Sequence, residues 1–115
     1  MSLKGYLVPV TAPDDSLQLV EAENFRELCK QVGIEYGEIV HGDNSYDGNF
    51  VAIVDEDGVA KGMVPNFGAA HITGYRGYLY GPCLIVTQSG PDLVSLNDDR
   101  FRYWCKRLSL NYTFH

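Results

Sequence analysis

Apolar residues in the first third of the chain follow two different spacings, one typical of strands and one typical of a helix. Residues 5–10 and 17–20 are short apolar runs bounded by turn-forming residues, which predicts two strands. Between Asn24 and Gly33 the apolar residues recur every three or four positions. Asn24 can cap a helix and Gly33 can end one, so the pattern predicts a helix over residues 24–32.

The middle of the chain is predicted to be mainly strand. Residues 34–41 alternate imperfectly between apolar and polar side chains, and residues 50–54 are an apolar run. We expect that run to form a short hairpin with residues 59–61, closed by a positive φ at Gly58. The long apolar run 78–87 is predicted to be a central strand.

The remaining segments predict less regular structure and one further helix. Residues 62–77 hold four glycines and one proline, so we expect an irregular segment with at most a short helical turn around residues 67–70. Towards the C-terminus, Asn97 or Asp98 is expected to cap the last helix. The apolar face of this helix is predicted to consist of Phe101, Trp104, Cys105 and Leu108.

This order of elements predicts a single α+β domain over residues 1–115. We expect a mainly antiparallel mixed sheet with two helices, and a helix that covers one face of the sheet. A β-grasp-like arrangement is the specific prediction. The chain has 115 residues, a common size for one domain with one core. Met1–Leu3 are interpreted as a remnant of cloning.

Charge is distributed unevenly along the chain. The formal net charge is −6. Residues 1–58 carry twelve acidic against three basic residues, whereas residues 59–115 carry three acidic against six basic residues. Four of those bases, Arg100, Arg102, Lys106 and Arg107, are interpreted as the solvated face of the last helix. So acidic a chain is repelled by a phosphate backbone, and direct nucleic-acid binding is not expected.

Composition also bears on the compartment. No apolar run approaches the roughly 18 residues that a membrane span needs, and the N-terminus lacks the pattern of a secretory signal. The three cysteines form no CxxC pair, which favours reduced thiols. We therefore expect a cytoplasmic protein without a membrane partner.

Two segments could in principle hold a metal ion, and neither matches a complete site. The loop Asp43–Gly48 resembles the first half of a calcium-binding loop, but its twelfth position is the apolar Val54 where a bidentate glutamate is required. A zinc site from His41, His71 and Cys83 would need the fold to bring three distant residues together. We predict no catalytic residue, no metal and no cofactor.

Tyrosine is the residue type in excess. Of the eight tyrosines, Tyr75, Tyr78 and Tyr80 fall within six positions, next to Arg76. Tyrosine and arginine favour binding surfaces because they offer large contact area together with polar atoms. We predict that these four residues, with Asn66, form a contact surface. The alternative is that Tyr78 and Tyr80 cover the edge of the core.

Several short motifs resemble those of a small domain family of unknown function found mainly in phage, plasmid and bacterial mobile-element proteins. They are an acidic turn ending in glycine, an asparagine after Val64-Pro65, a Gly-Pro pair before an apolar strand, and a Ser-Leu-Asn-Asp helix start. The matching residues are Gly33, Gly58, Asn66, Gly81, Pro82 and Asn97. The chain departs from the family in Val64-Pro65 and in a longer 66–80 segment. The resemblance brings no catalytic residue and implies an accessory protein of a mobile element, or a host protein derived from one.

Three functions follow as hypotheses. The leading one is a non-catalytic interaction module whose partner is another protein, with a homodimer also open. The second is an acidic mimic of nucleic acid, in which residues 1–58 occupy the basic groove of a DNA-binding enzyme. The third is an enzyme of unrecognised class, with Asn66 and His71 lining a pocket.

Overall fold

The computed structural model describes residues 3–10, 16–43, 50–89, 92–96, 99, 101–103 and 113–114. Its strands are β1 (Leu3–Val8), β2 (Ser16–Ala22), β3 (Gly37–Val40), β4 (Val51–Asp55), β5 (Cys83–Ser89), β6 (Asp92–Val94) and β7 (Thr113–Phe114). Its helices are α1 (Phe25–Gln31) and α2 (Phe67–Thr73). Asp99 and residues 101–103 also have helical backbone, where the last helix was predicted. The predicted caps of that helix, and Trp104, Cys105 and Leu108, lie outside the described residues.

The strands form one sheet in the order β3-β4-β5-β1-β2-β7, with β6 paired to the end of β5. All pairs are antiparallel except β2 with β7, which confirms an α+β domain with a mainly antiparallel mixed sheet. The β-grasp-like prediction gave no strand order, and the observed pairing supplies one. The strands β1 and β5 are neighbours in the middle of the sheet, and they run antiparallel. Leu3, interpreted from the sequence as a cloning remnant, pairs with Ala22.

Both faces of the sheet are covered, which corrects the prediction that a helix covers one face. Successive side chains of a strand point to opposite faces. On β4, Val51 and Ile53 pack with Leu28 of α1, whereas Ala52 packs with the cluster that includes Ile72 of α2. We call these the α1 face and the α2 face. Because each face has its own core, all five residues of β4 are buried.

Three aromatic rings fill the α2 face near β1. Phe101 stacks on Tyr6 with ring centroids 5.6 Å apart and meets the edge of Phe50 at 5.3 Å. All three side chains are almost fully buried. The hydroxyl of Tyr6 accepts a hydrogen bond of 2.8 Å from Nη2 of Arg102, so its polar end is satisfied. Phe101, predicted to lie on the apolar face of the last helix, has helical backbone and is buried.

The two helices are capped by asparagine side chains. Oδ1 of Asn24 accepts from the backbone N–H of Glu27 at 2.9 Å, which confirms the predicted start of α1. The short helical turn expected near residues 67–70 is a longer helix. It ends at Gly74, which has a φ of 73° and a backbone N–H bonded to the carbonyl of Ala70.

The predicted hairpin through Gly58 is wrong. After β4 the chain forms a compact turn, in which Gly58 N–H donates to the carbonyl of Asp55 at 3.1 Å and Met63 N–H donates to that of Gly58 at 2.9 Å. The positive φ of this turn, 69°, belongs to Gly62. Gly58 has a different role, because a Cβ there would lie 3.1 Å from Cβ of Tyr80, closer than an ordinary van der Waals contact.

Asn66 links the start of α2 to two strands. Its Nδ2 donates to the carbonyls of Val8 at 2.8 Å and Gly81 at 3.0 Å, and its Oδ1 accepts from the N–H of Ala69 at 3.0 Å. The side chain is 1% exposed. The prediction that Asn66 belongs to a contact surface is therefore corrected, because its polar atoms are used within the core.

Replacing Asn66 by alanine tests this role. The variant loses a helix cap and leaves the buried carbonyls of Val8 and Gly81 without their donor, so we expect the free energy of unfolding to fall by about 2–4 kcal/mol. Urea denaturation measures the loss. The matched control is Asn24→Ala, which removes an exposed cap of the same residue type and should cost about 1 kcal/mol. Equal losses in the two variants would contradict the role assigned to Asn66.

Candidate functional site

Four aromatic side chains form a surface beside α2. We call Phe67, Tyr75, Tyr78 and Tyr80 the aromatic surface. Phe67 and Tyr78 are 63% and 67% exposed, and their rings meet edge to face with centroids 6.3 Å apart. The ring centroid of Tyr80 lies 6.3 Å from that of Tyr78. Leu79, between the two tyrosines in sequence, is buried, so it is Leu79 that packs into the core and Tyr78 that faces solvent.

Backbone contacts hold one end of this surface in place. Tyr80 forms an isolated antiparallel bridge with Pro65. The backbone N–H of Asn66 donates to the carbonyl of Leu79 at 2.6 Å, and that of Gly81 donates to Val64 at 2.8 Å. The segment that carries Tyr78 and Tyr80 is therefore tied to the start of α2.

The other end is held by the residues that follow β3. A Cβ on Gly42 would overlap the carbonyl oxygen of Thr73, so only glycine allows this close approach. Asp43 N–H donates to the carbonyl of Gly74 at 3.4 Å. Arg76, predicted as a contact residue, pairs its Nη2 with Oδ2 of Asp43 at 3.1 Å, and both side chains are exposed. Such an exposed pair contributes little to stability, and Arg76 borders the aromatic surface.

A small cleft separates the aromatic surface from β3, β4 and the turn after β4. Its volume is about 170 Å³, below the roughly 300–1,000 Å³ of most small-molecule sites. Buried apolar side chains form its floor, namely Val40, Val54 and Leu79. Tyr75, Tyr78 and Tyr80 line it on one side, together with the exposed Val59. Glu38 and Glu56, both exposed, line it as well. We call this the aromatic cleft.

A larger concavity lies on the opposite face of the sheet. This α1 groove has a volume of about 920 Å³ and is open to solvent. It runs between α1 and the edge strand β3, and its lining includes Phe25, Cys29, Ile39 and Lys61. Partial burial raises the pKa of the Cys29 thiol, which keeps it protonated at neutral pH. The thiol therefore packs as a small hydrophobic group and is no activated nucleophile.

An ion cluster closes the turn after β4 at the edge of this groove. The carboxylate of Asp55 is buried and lies 2.8 Å from Nζ of Lys61, which also reaches the exposed Glu35 at 3.0 Å. The hydrogen bond from Lys61 lowers the pKa of Asp55, and the backbone N–H groups of Asp57 and Glu35 lower it further against the effect of burial. Hydrogen bonds to Asp55 and Glu35 raise the pKa of Lys61 to about 12.

The histidines and the buried cysteine do not converge. Nε2 of His41 is hydrogen-bonded to Oε1 of Gln88 at 2.8 Å, and His71 is exposed on α2. Burial raises the pKa of Cys83 to about 12. Within the described part of the chain, no three His, Cys, Asp or Glu side chains are placed to hold a metal ion. Residues 44–49, most of the loop that partly resembles a calcium site, lie outside that part.

The structure therefore brings together three of the five residues predicted for a contact surface. Tyr75, Tyr78 and Tyr80 line the aromatic cleft, whereas Arg76 is exposed and pairs with Asp43, and Asn66 is buried. Sequence reasoning missed Phe67, Glu38 and Glu56. The signal for Glu38 was available, because a carboxylate interrupts the apolar pattern of the predicted strand 34–41. Glu56 offered no such signal.

Comparisons with known proteins show the fold alone. No protein-family model and no curated protein matches the chain. Among solved structures, it is similar to the crystal structure of the small RNA methyltransferase HEN1, with a TM-score of 0.63 and 11% sequence identity over 91% of this chain. The chain spans only 16% of the length of that structure. None of the helices within the described ranges is long and apolar enough to cross a membrane.

The Asp55 ion cluster makes a pH-dependent contribution to stability. The folded pKa of Asp55 lies below its ordinary value of 3.8, so the stabilisation is complete above pH 3.8 and is lost as the pH falls through the folded value. We expect Asp55→Asn to lower the free energy of unfolding at neutral pH by about 1–3 kcal/mol. The difference from wild type should shrink below pH 3.8.

Denaturant titrations over a series of pH values measure this difference. Glu35→Gln is the control, because it removes the exposed partner of the same lysine and should cost less than about 1 kcal/mol. A difference between Asp55→Asn and wild type that stays constant with pH would contradict the assignment.

Proposed function

We propose that this chain is a non-catalytic protein-interaction module and that the aromatic surface is its contact region. The observation that carries the proposal is the pair of mostly exposed side chains of Phe67 and Tyr78, whose ring centroids lie 6.3 Å apart. Val59, which also lines the aromatic cleft, is exposed as well. A group of large exposed side chains marks an interaction site more often than an isolated one does.

The way this surface is held also favours binding. Association is weakened when side chains and loops must be ordered on contact. Here the backbone of the 75–80 segment is tied at one end through Asn66 and Gly81 and at the other through Gly42. Tyrosine and phenylalanine have only two side-chain torsions each, so little freedom remains to be lost. Rigid aromatic anchors of this kind dominate the energy of many interfaces.

The ionisable groups with shifted pKa values serve the fold. Asp55 and Lys61 close a turn, and burial accounts for the raised pKa values of Cys29 and Cys83. The alternative of an enzyme of unrecognised class placed Asn66 in a pocket, and that side chain is buried with its polar atoms bonded. These facts support a non-catalytic role.

Acidic mimicry of nucleic acid remains an alternative without a specific supporting observation. A mimic presents its carboxylates as a row on one surface, as a phosphate backbone does. The exposed carboxylates of residues 1–58 lie on both faces of the sheet, with Glu27 on α1 and Glu38 beside the aromatic cleft. Binding that weakens steeply with salt would favour mimicry, and binding insensitive to salt would count against it.

The proposed cellular setting rests on the sequence motifs. We propose a cytoplasmic accessory protein of a phage or mobile element, or a host protein derived from one. The motif residues Asn66, Gly58 and Gly81 all take part in holding the 75–80 segment, which supports a shared architecture for chains that carry them.

Affinity capture with matched variants tests the proposed contact region. Wild type, Tyr78→Ser and Tyr103→Ser are used to capture partners from a lysate of the source cells, with quantitative mass spectrometry as the readout. Tyr103 is 65% exposed, almost the same as Tyr78, and lies outside the aromatic surface. We expect wild type and Tyr103→Ser to recover the same protein and Tyr78→Ser to bind it about tenfold more weakly, a loss of about 1.4 kcal/mol.

Equal recovery by all three proteins would contradict the assigned contact region. A photo-crosslinking residue at Phe67 identifies what lies against the surface. If the crosslinked product is a dimer of this chain, the partner is a second copy, which light scattering of the purified protein would confirm independently.

A further inference from the structure

We propose that the aromatic cleft receives one cationic side chain, a lysine or an arginine, from the protein partner. This inference rests on the proposed function and specifies the chemistry of the partner at one point of the interface. Four properties of the cleft support it: its charge, its aromatic wall, its size and its fixed geometry.

The described lining of the cleft carries a negative charge. Among the residues that the structure describes, its lining includes Glu38, Asp55 and Glu56, and no lysine or arginine. Asp55 directs its carboxylate to Lys61 on the α1 face, so it is already neutralised. Glu38 and Glu56 are exposed, and within the described part of the chain neither forms an ion pair. Two carboxylates at the edge of a small cleft therefore attract a cation.

The aromatic wall is suited to the same charge. A cation within about 6 Å of a ring centroid is attracted by the negative face of the ring. The chain already uses this chemistry on its α1 face, where Nζ of Lys61 lies 5.8 Å from the centroid of Tyr36 and bonds to Glu35 and Asp55. On that face one lysine is held by a tyrosine and two carboxylates. The aromatic cleft offers tyrosines and two carboxylates, and its lining, as far as the structure describes it, holds no lysine or arginine.

The size of the cleft suits one side chain. A volume of about 170 Å³ is too small for a nucleotide or a typical cofactor, which occupy pockets of roughly 300–1,000 Å³. Its floor of Val40, Val54 and Leu79 is buried and apolar, whereas Glu38 and Glu56 are exposed. Lysine and arginine have an apolar stem and a charged end, which matches an apolar floor with carboxylates at the opening.

The walls of the cleft are fixed by the fold. The bridge between Pro65 and Tyr80 and the close approach of Gly58 to Tyr80 set the position of the backbone and Cβ of Tyr80. Glu38 stands on β3, opposite Val54 of β4 in the antiparallel pair. A site built on a strand and a tied segment does not have to be ordered when the partner binds.

An NMR titration of the whole chain with single blocked amino acids tests the proposal. The probes are N-acetyl-lysine methylamide and N-acetyl-arginine methylamide, and the controls are the norleucine and glutamate analogues. We expect saturable shifts of the backbone amides of Glu38, Glu56 and residues 75–80 with at least one cationic probe, in the millimolar range. The norleucine analogue should bind at least about fivefold more weakly.

Matched carboxylate variants locate the binding site. Glu38→Gln and Glu56→Gln should each weaken binding of the cationic probe about two- to fivefold, as expected for exposed charges. Glu35→Gln, an exposed carboxylate on the α1 face, should leave it unchanged. The dispersion of each amide spectrum shows that the variant is folded. Absence of saturable shifts at the cleft, or equal shifts with the norleucine and glutamate analogues, would overturn the proposal.

The two proposals can fail separately. If Tyr78→Ser loses the captured partner while both cleft variants retain full affinity for it and the titration shows no binding, the contact region stands and the cationic site falls. If the cationic probes bind but Tyr78→Ser captures the partner as well as wild type does, the site stands and the proposed contact region falls. If a crosslinked dimer forms from position 67 in the otherwise unchanged chain but no longer forms in Glu38→Gln, a second copy of this chain is the source of the cation.

Discussion

The arrangement of this chain depends on the hydrogen bonds of the Asn66 side-chain amide. Three hydrogen bonds connect it to the end of β1, to Gly81 two residues before β5, and to the first turn of α2. A buried amide is costly unless its donors and acceptor are satisfied, so the side chain admits one relative placement of these three segments. The backbone of Asn66 then adds a bond to Leu79 and thereby positions the 75–80 segment.

The aromatic surface is a direct result of that placement. The segment is tied by its backbone, and Leu79 alone among its central residues packs into the core. The rings of Tyr78 and Phe67 are consequently left outside, in contact with each other. The same bonds that stabilise the fold thus supply a rigid apolar surface, with no need for a separate element to carry it.

The carboxylates on the two faces of the sheet differ in how they are neutralised. On the α1 face a buried carboxylate, Asp55, is neutralised by Lys61, which also lies against Tyr36. On the α2 face two exposed carboxylates border a cleft lined by tyrosines, and the described residues of that lining include no basic partner. A buried charge must be paired within the chain. An exposed charge is solvated by water and stays available for a charged group of another molecule. This difference supports the proposal that the aromatic cleft is a site for a second molecule.

The sequence by itself determined the elements whose signals are local. Asn24 caps the N–H of a residue three positions away. The apolar runs of β4 and β5 predict buried strands, whatever their place in the sheet. Tertiary structure alone decided that both faces are covered, that Gly58 makes room for Tyr80, and that Asn66 bonds to Val8, a residue 58 positions away. It also decided that Glu38 and Glu56 share a cleft with three tyrosines. These outcomes depend on contacts between distant segments, and a pattern of neighbouring residues carries no information about which segments will meet.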